Sequence, residues 1–233
     1  MNVEWIPQSE YAYNHIPRPQ PAKNFIPDWY KSIPPFETGH SPKIHGTRAN
    51  STEKMCMPLM DTFTTGYIQE LSCDIYVDKT DAGITLYQSN DAEDVFKIGN
   101  GINRSEEAIS PGGYLNISAS WWTRWEPKTP RGWSTLYTHP LNQYNSPFFT
   151  MSGIIDTDKW WHGGAIPFFI REGFEGIIPK GTPIYQMVFF KREDWNSKTS
   201  KYSEQNMRSL YDSVFNSFYG GYKKLKWSKK NYD

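Results

Sequence analysis

Residues 130–192, PRGWSTLYTHPLNQYNSPFFTMSGIIDTDKWWHGGAIPFFIREGFEGIIPKGTPIYQMVFFKR, decide the fold class of this chain. The stretch strings together three turn-bounded signatures at near-equal intervals, PRGWSTLYTHPLN, SGIIDTDKWWHGG and GIIPKGTPIYQMVFFKR. Runs of β-branched and aromatic residues held between Gly, Pro, Asn and Asp read as short strands. Strands are therefore expected near 131–138, 148–156, 165–171 and 182–191.

Working outward, residues 57–98 read as further short strands. The run 62–77 is rich in β-branched and aromatic residues, and Gly83 closes a turn ahead of ITLYQ, which together predict a meander. Residues 100–113 are a polar loop with Pro111-Gly112-Gly113 as its turn signal, leading into an aromatic strand over 114–125. Eight prolines between Pro7 and Pro42 forbid long helices and favour extended backbone. Their interleaved Trp5, Ile16, Phe25, Ile26, Trp29, Tyr30 and Phe36 are too apolar for a solvated linker, so this strap is expected to lie across the domain or a neighbouring subunit.

Near the C-terminus the period changes. Met207, Leu210, Tyr211, Val214, Phe215 and Phe218 fall at helical offsets, with Ser203 as N-cap and Gly220 as stop. A lysine-rich tail, KKLKWSKK, follows. The expected fold is thus mainly β, a β-clip or jelly-roll-like barrel or sandwich with an N-terminal Pro-rich extended strap and one C-terminal amphipathic helix. The expected divisions are a strap over 1–50, a β-rich core over 51–195, and a helix and basic tail over 196–233 packed on that core.

Composition narrows the function classes. With 233 residues the chain is long enough for one large domain with extensions. Lys and Arg total 25 and Asp and Glu total 25, so no global field steers the chain to nucleic acid or to an acidic membrane. Cys56 and Cys73, with no CxxC pattern, argue against a disulfide scaffold and a zinc site and make a reducing cytoplasm the expected compartment. The start MNVEWIPQSEYAYNH lacks a signal-peptide pattern, and no membrane partner is expected. Ten Trp and fifteen Tyr supply rings for a core, a subunit interface or a stacking pocket. Adjacent pairs such as Trp121-Trp122 send one ring to each face of a strand.

The segment SGIIDTDKWWHGG holds the most chemistry. Asp156 and Asp158, separated by Thr157, share a strand face or flank a turn. Such a pair can bind a divalent cation or supply a general base; equally, both can serve as turn-capping groups. His139 and His162 lack the spacing of a histidine and carboxylate metal set, and no metal site is expected. No Gly-x-Ser-x-Gly, P-loop or dinucleotide fingerprint occurs, which excludes those chemistries.

The series Gly132-Trp133-Ser134-Thr135-Leu136, then Ser152-Gly153-Ile154-Ile155-Asp156-Thr157-Asp158, then Gly181-Thr182-Pro183-Ile184-Tyr185-Gln186-Met187 resembles three consecutive motifs of the trimeric dUTPase and dCTP deaminase superfamily. The resemblance implies a β-clip fold with sites between subunits, Asp156 as the carboxylate that activates water, and Ser134 or Thr135 as the phosphate-binding hydroxyl. Trp133 stands where that family places a phosphate-gripping arginine, with Arg131 two places away. The expected Gly-rich terminal arm is represented only by Phe218-Tyr219-Gly220-Gly221-Tyr222. Through Arg18-Pro19-Gln20-Pro21-Ala22 and Cys56-Met57-Pro58 the whole chain also resembles a family of tailed-bacteriophage and bacterial proteins, which implies an origin and no particular activity.

Two functions follow. One is a non-catalytic oligomeric protein, a bacteriophage virion or assembly component, whose partners are copies of itself or other virion subunits. The other is a divergent dUTPase-like nucleotide-binding protein, or a nucleotide hydrolase or deaminase, acting in the host cytoplasm. In the second, Asp156 is the catalytic group, Arg131, Trp133, Ser134, Thr135, His139 and Asp158 contact a small nucleotide-like ligand, and Mg²⁺ is the cofactor.

Overall fold

In the computed structural model the described residues are 1–37, 51–80, 83–89, 95–98, 110–115, 119–216 and 220–232. In chain order they form β1 (Glu4–Pro7), α1 (Glu10–His15), β2 (Gln20–Pro21), α2 (Asp28–Ser32), α3 (Met57–Thr64), β3 (Tyr67–Glu70), β4 (Ile75–Thr80), β5 (Gly83–Gln88) and β6 (Phe96–Ile98). They continue with β7 (Ala119–Trp122), β8 (Trp125–Lys128), β9 (Trp133–Thr138), β10 (Phe148–Thr150), β11 (Gly153–Ile155), β12 (Ala165–Ile170), β13 (Gly176–Ile178), β14 (Pro183–Lys191), α4 (Glu204–Phe215) and α5 (Gly221–Leu225). The chain is mainly β with an amphipathic C-terminal helix. No helix of the described residues is long and apolar enough to cross a membrane.

The chain divides into two compact units, one of residues 1–25 with 65–192 and one of residues 26–64 with 193–233. The first holds every described strand. Its pairings are all antiparallel: a five-stranded sheet β11-β9-β14-β3-β2, a four-stranded sheet β10-β12-β7-β6, a three-stranded sheet β13-β4-β5 and a ribbon β1-β8. The prolines of the first 25 residues leave room only for the short β1 and β2 and for α1, capped by the Ser9 hydroxyl on the Ala12 amide. Both strands add to sheet edges, where a missing proline N–H does least harm.

Trp121 is the centre of the packing. Its ring is fully buried, stacks on Phe168 at 3.6 Å between centroids, and meets Phe148 edge-on at 5.1 Å. The Trp121 indole N–H donates to the Thr150 hydroxyl at 2.9 Å, which donates to the Ile184 carbonyl at 2.6 Å. One polar chain thus ties β7, β10 and β14 through an apolar core. Trp122, one residue on, faces the other way and lies under the Arg124 guanidinium.

Differences from the sequence expectations are local. Met57–Thr64 is a helix where strands were expected; its Thr62 and Thr64 hydroxyls bond back to the Leu59 and Met60 carbonyls, so their polar groups are satisfied within the helix. Strands β4 and β5 form the expected hairpin, but β3 leaves them to pair with β14 and β2. In place of one strand over 114–125 there is a bridge at Tyr114, then β7 and β8. The loop over 100–109 lies outside the described residues.

In the second unit, Trp29, Tyr30 and Phe63 pack their rings together, and Lys54 reaches over Tyr30 to bond its carbonyl at 2.8 Å. The Trp227 indole donates to the Asp61 carboxylate, with which Lys230 also pairs. Helix α4 begins at the expected Ser203 cap but stops at Phe215, ahead of the expected stop at Gly220. Gly220 takes a left-handed conformation that starts α5 instead. Met207, Leu210, Tyr211 and Phe215 are exposed.

Gly66 sits where β3 crosses close to β14. Its φ is +70°, and a Cβ there would lie 1.9 Å from the Met187 carbonyl oxygen. Gly66→Ala is expected to lower unfolding free energy by at least about 2 kcal/mol, through backbone strain and a forced shift of β14. Denaturant unfolding of the two proteins measures this, and equal midpoints would show that the two strands are not held this closely.

Candidate functional site

Antiparallel pairing of β9 with β14 runs from Thr138 opposite Gln186 to Trp133 opposite Lys191. This register carries Arg192 past the end of the ladder to Gly132, whose carbonyl accepts the Arg192 amide at 2.8 Å. On the other side of β9 lies β11, so the turn after Ile155 is delivered to the same end of the sheet. Three segments far apart in sequence therefore meet.

At their meeting point Arg192 holds both carboxylates. Its guanidinium grips Asp158 with two bonds, at 2.9 and 2.6 Å, and reaches Asp156 at 3.1 Å. The Ser134 hydroxyl donates to Asp156 at 2.8 Å and accepts from Arg192 at 2.9 Å. Arg192 also donates to the Trp133 carbonyl at 2.9 Å. The Gly132 amide caps Asp158 at 2.7 Å. The Arg192 fork, followed by this amide, holds the Asp158 carboxyl at a pKa of about 2.

The two aspartates differ in access. The Asp158 side chain is 4% exposed and spent on its partners, whereas that of Asp156 is 45% exposed, with Lys159 at its far oxygen at 3.9 Å. Between them Thr157 points inward, where its hydroxyl joins those of Thr129 and Thr135 at 2.9 and 2.8 Å. Asp156 and Asp158 thus flank a turn, whose amides at Lys159 and Trp160 both donate to the Asp156 carbonyl.

Of the residues singled out in the sequence, Ser134, Asp156 and Asp158 come together in this cluster, and Trp133 joins it through its carbonyl. Thr135 is fully buried and bonded to Thr157. Arg131 is exposed and makes no hydrogen bond or ion pair with the described residues. His139 stands elsewhere, stacked on Phe149, with Nδ1 accepting the Thr150 amide and Nε2 facing the Gln143 carbonyl. Burial lowers its pKa, so both ring nitrogens are engaged in a neutral imidazole. His162 is exposed beside Trp160 and Trp161. Among the described residues no three His, Cys, Asp or Glu side chains are grouped to hold a metal ion.

Arg192 is the residue that sequence reading missed. The available signal was register: pairing the two strand signatures antiparallel, Thr138 on Gln186, puts Arg192 beside Gly132 and Ser134.

A cavity of about 340 Å³ opens immediately before Asp156, lined by Tyr137, Met151, Ser152, Gly153, Ile154, Ile155, Ala165, Ile166 and Pro167. Strand β11 ends its sheet, so among the described residues one edge of its backbone has no strand partner. That edge offers amide donors and carbonyl acceptors beside apolar walls, a combination suited to a planar ligand with hydrogen-bonding edges.

No protein-family model matches the chain, and no curated protein is similar to it in sequence. Among solved structures, a mutant dUTPase of Staphylococcus bacteriophage 80alpha is 11% identical, with 87% of this chain covering 98% of that one at a TM-score of 0.35. A mutant dUTPase of phage phi11 of S. aureus is 10% identical, with 88% covering 99% at a TM-score of 0.37. The phi11 dUTPase itself gives 10% identity, the same coverage and a TM-score of 0.36. At this identity and these scores the matches assign neither family nor activity.

A carboxyl whose folded pKa is depressed contributes stability above its unfolded pKa and loses it as pH falls through the folded value. For Asp158 that window runs from the ordinary 3.8 down to about 2. The wild-type chain is expected to lose stability across this interval more steeply than Asp158→Asn, as read by denaturant midpoints at each pH. Parallel slopes would show that the Arg192 fork is not formed in solution.

Proposed function

We propose that the protein binds a deoxynucleotide in the cavity beside Asp156, as a divergent dUTPase-like nucleotide-binding protein that acts as a homo-oligomer. The carrying observation is a half-exposed, oriented carboxylate that directly follows Ile155 of the cavity wall, on a strand with one edge unpaired among the described strands. The base is assigned to the cavity and hydrogen-bonds to the β11 backbone. Asp156, fixed by Ser134 and Arg192, faces the sugar or an attacking water. Exposed Arg131 and Lys159 are the cations nearest in sequence for phosphate, and Mg²⁺ accompanies a triphosphate. Hydrolysis or deamination of the nucleotide is the reaction class that this arrangement would serve.

A second reading is a non-catalytic oligomeric component of a bacteriophage virion or of its assembly. It is supported by Arg192, which gives Asp156 and Asp158 a shared counter-ion and needs no ligand to complete the cluster.

The purified chain is expected to gain thermal stability with one or more deoxynucleotides, tested with and without Mg²⁺. A ligand at 100 times its dissociation constant contributes about 2.7 kcal/mol, which a melting curve resolves readily. Asp156→Ala should remove most of the gain. If no deoxynucleotide moves the wild-type melt, the nucleotide reading is wrong and assembly becomes the function to measure, by the mass of the protein in solution.

A further inference from the structure

We infer that Glu126 is a positioning residue for this cavity, a buried carboxyl group that joins two of its walls and re-routes the bonds of one wall when it gains or loses a proton. The ligand's identity rests on the nucleotide reading above; the joint itself does not.

Glu126 lies on β8 and is 1% exposed. Its Oε2 accepts from the Tyr137 hydroxyl at 2.6 Å, and its Oε1 accepts from the Thr123 hydroxyl. Tyr137 lines the cavity from β9. Thr123 is bound to Gly164 twice, its Oγ1 accepting the Gly164 amide at 2.6 Å and its amide donating to the Gly164 carbonyl at 3.0 Å, and its hydroxyl lies within 3.1 Å of that carbonyl. Gly164 leads directly into Ala165, Ile166 and Pro167, the cavity wall on β12. One carboxyl group therefore reaches both β9 and β12.

Among the described residues no cation pairs with it. Across the β1–β8 ribbon Glu126 faces Ile6, and the charged neighbours Glu4 and Lys128 pair with each other at 3.4 Å. From β9 and β14 the titratable groups facing it are Tyr137 and Tyr185, buried phenols whose pKa values are pushed well above the ordinary 10.0. Among the described residues the charged form is held by the Thr123 and Tyr137 hydroxyls and the Gly164 amide. Burial raises the Glu126 carboxyl to about 7, against the pull of the Thr123 and Tyr137 hydrogen bonds.

The geometry supplies two complete bonding schemes. When Glu126 is ionised, both of its oxygens accept, from Tyr137 and from Thr123. When it is protonated at Oε1, that oxygen donates to Thr123 Oγ1, and the Thr123 hydroxyl turns to the Gly164 carbonyl already within reach. Tyr137 keeps its acceptor in both schemes, so the change falls on the β12 wall. The sign of the linkage follows. The folded chain holds this proton between the unfolded value of 4.5 and about 7, so stability falls as pH rises through that interval and is level above it.

The test is an NMR titration of the Gly164 and Ala165 amides from about pH 5.5 to 8.5, with nucleotide affinity measured by calorimetry at both ends. In the wild type the amide shifts should titrate with a midpoint near 7. They should be flat in Glu126→Gln. In Tyr137→Phe the midpoint should rise, because a bond to the charged form is lost; a carboxyl that only fills space would not move it. Affinity should differ at least about fivefold between the two ends, the lower range of coupling between linked sites.

Flat wild-type amides overturn the inference, and this arm needs no variant to fold. Equal affinity at both ends overturns the link to binding and leaves the proposed function standing. Absence of any nucleotide binding beside an intact amide titration overturns the proposed function and upholds the joint.

Discussion

The antiparallel register of β14 on β9 is the constraint on which the first unit depends. Strand β14 lies in the middle of its sheet, bonded to β9 on one side and to β3 on the other. A slip of one residue would turn every side chain to the opposite face. At one end, Gln186 is buried and locks the register from both ends of its amide, accepting from the Leu141 N–H at 3.0 Å and donating to the Thr65 carbonyl at 2.7 Å. At the other end, Arg192 ties Asp156, Asp158 and Ser134. The same alignment thus holds a fold and assembles a site.

Polar groups inside this unit are placed in connected sets. The Thr129, Thr157 and Thr135 hydroxyls form one chain, the Trp121, Thr150 and Ile184 groups another, and the Tyr137, Glu126, Thr123 and Gly164 groups a third. Connected sets of this kind specify one arrangement of strands, since a shifted strand leaves buried donors unmatched. Among the described residues the Tyr185 hydroxyl and the Gln69 Oε1 atom are buried without a partner. The third set differs from the other two in carrying a carboxyl group, and so it joins their kind of packing to pH.

Strands over 130–192 were legible because turn residues punctuate them: β9, β12 and β14 fall inside the expected spans, whereas the single strand expected over 148–156 is two, β10 and β11, which pair in different sheets. Short β13 was missed, since Gly176, Ile177 and Ile178 show no alternation over three residues. Helix α3 was misread because its threonines carry strand propensity, a weak local preference that tertiary context overrides. In the site, Asp156 and Asp158 were legible as carboxylates flanking a turn, and Ser134 only through the family resemblance. Arg192 was not, because a residue at the end of a strand shows its importance only through what lies across the ladder.

Composition, punctuation and period by themselves determined that the chain is mainly β, that its C-terminus holds a helix starting after Ser203, and that two aspartates are polar residues to watch; Ser134 was marked by the family resemblance. These are local properties, set by each residue's own backbone preference and its immediate neighbours. Tertiary structure alone decided that one arginine pairs with both aspartates, that Thr135 and His139 turn away from them, and that Glu126 is buried with no cation beside it among the described residues. Those outcomes depend on strand register and on which face meets the core, and both arise from pairings between residues distant in the chain.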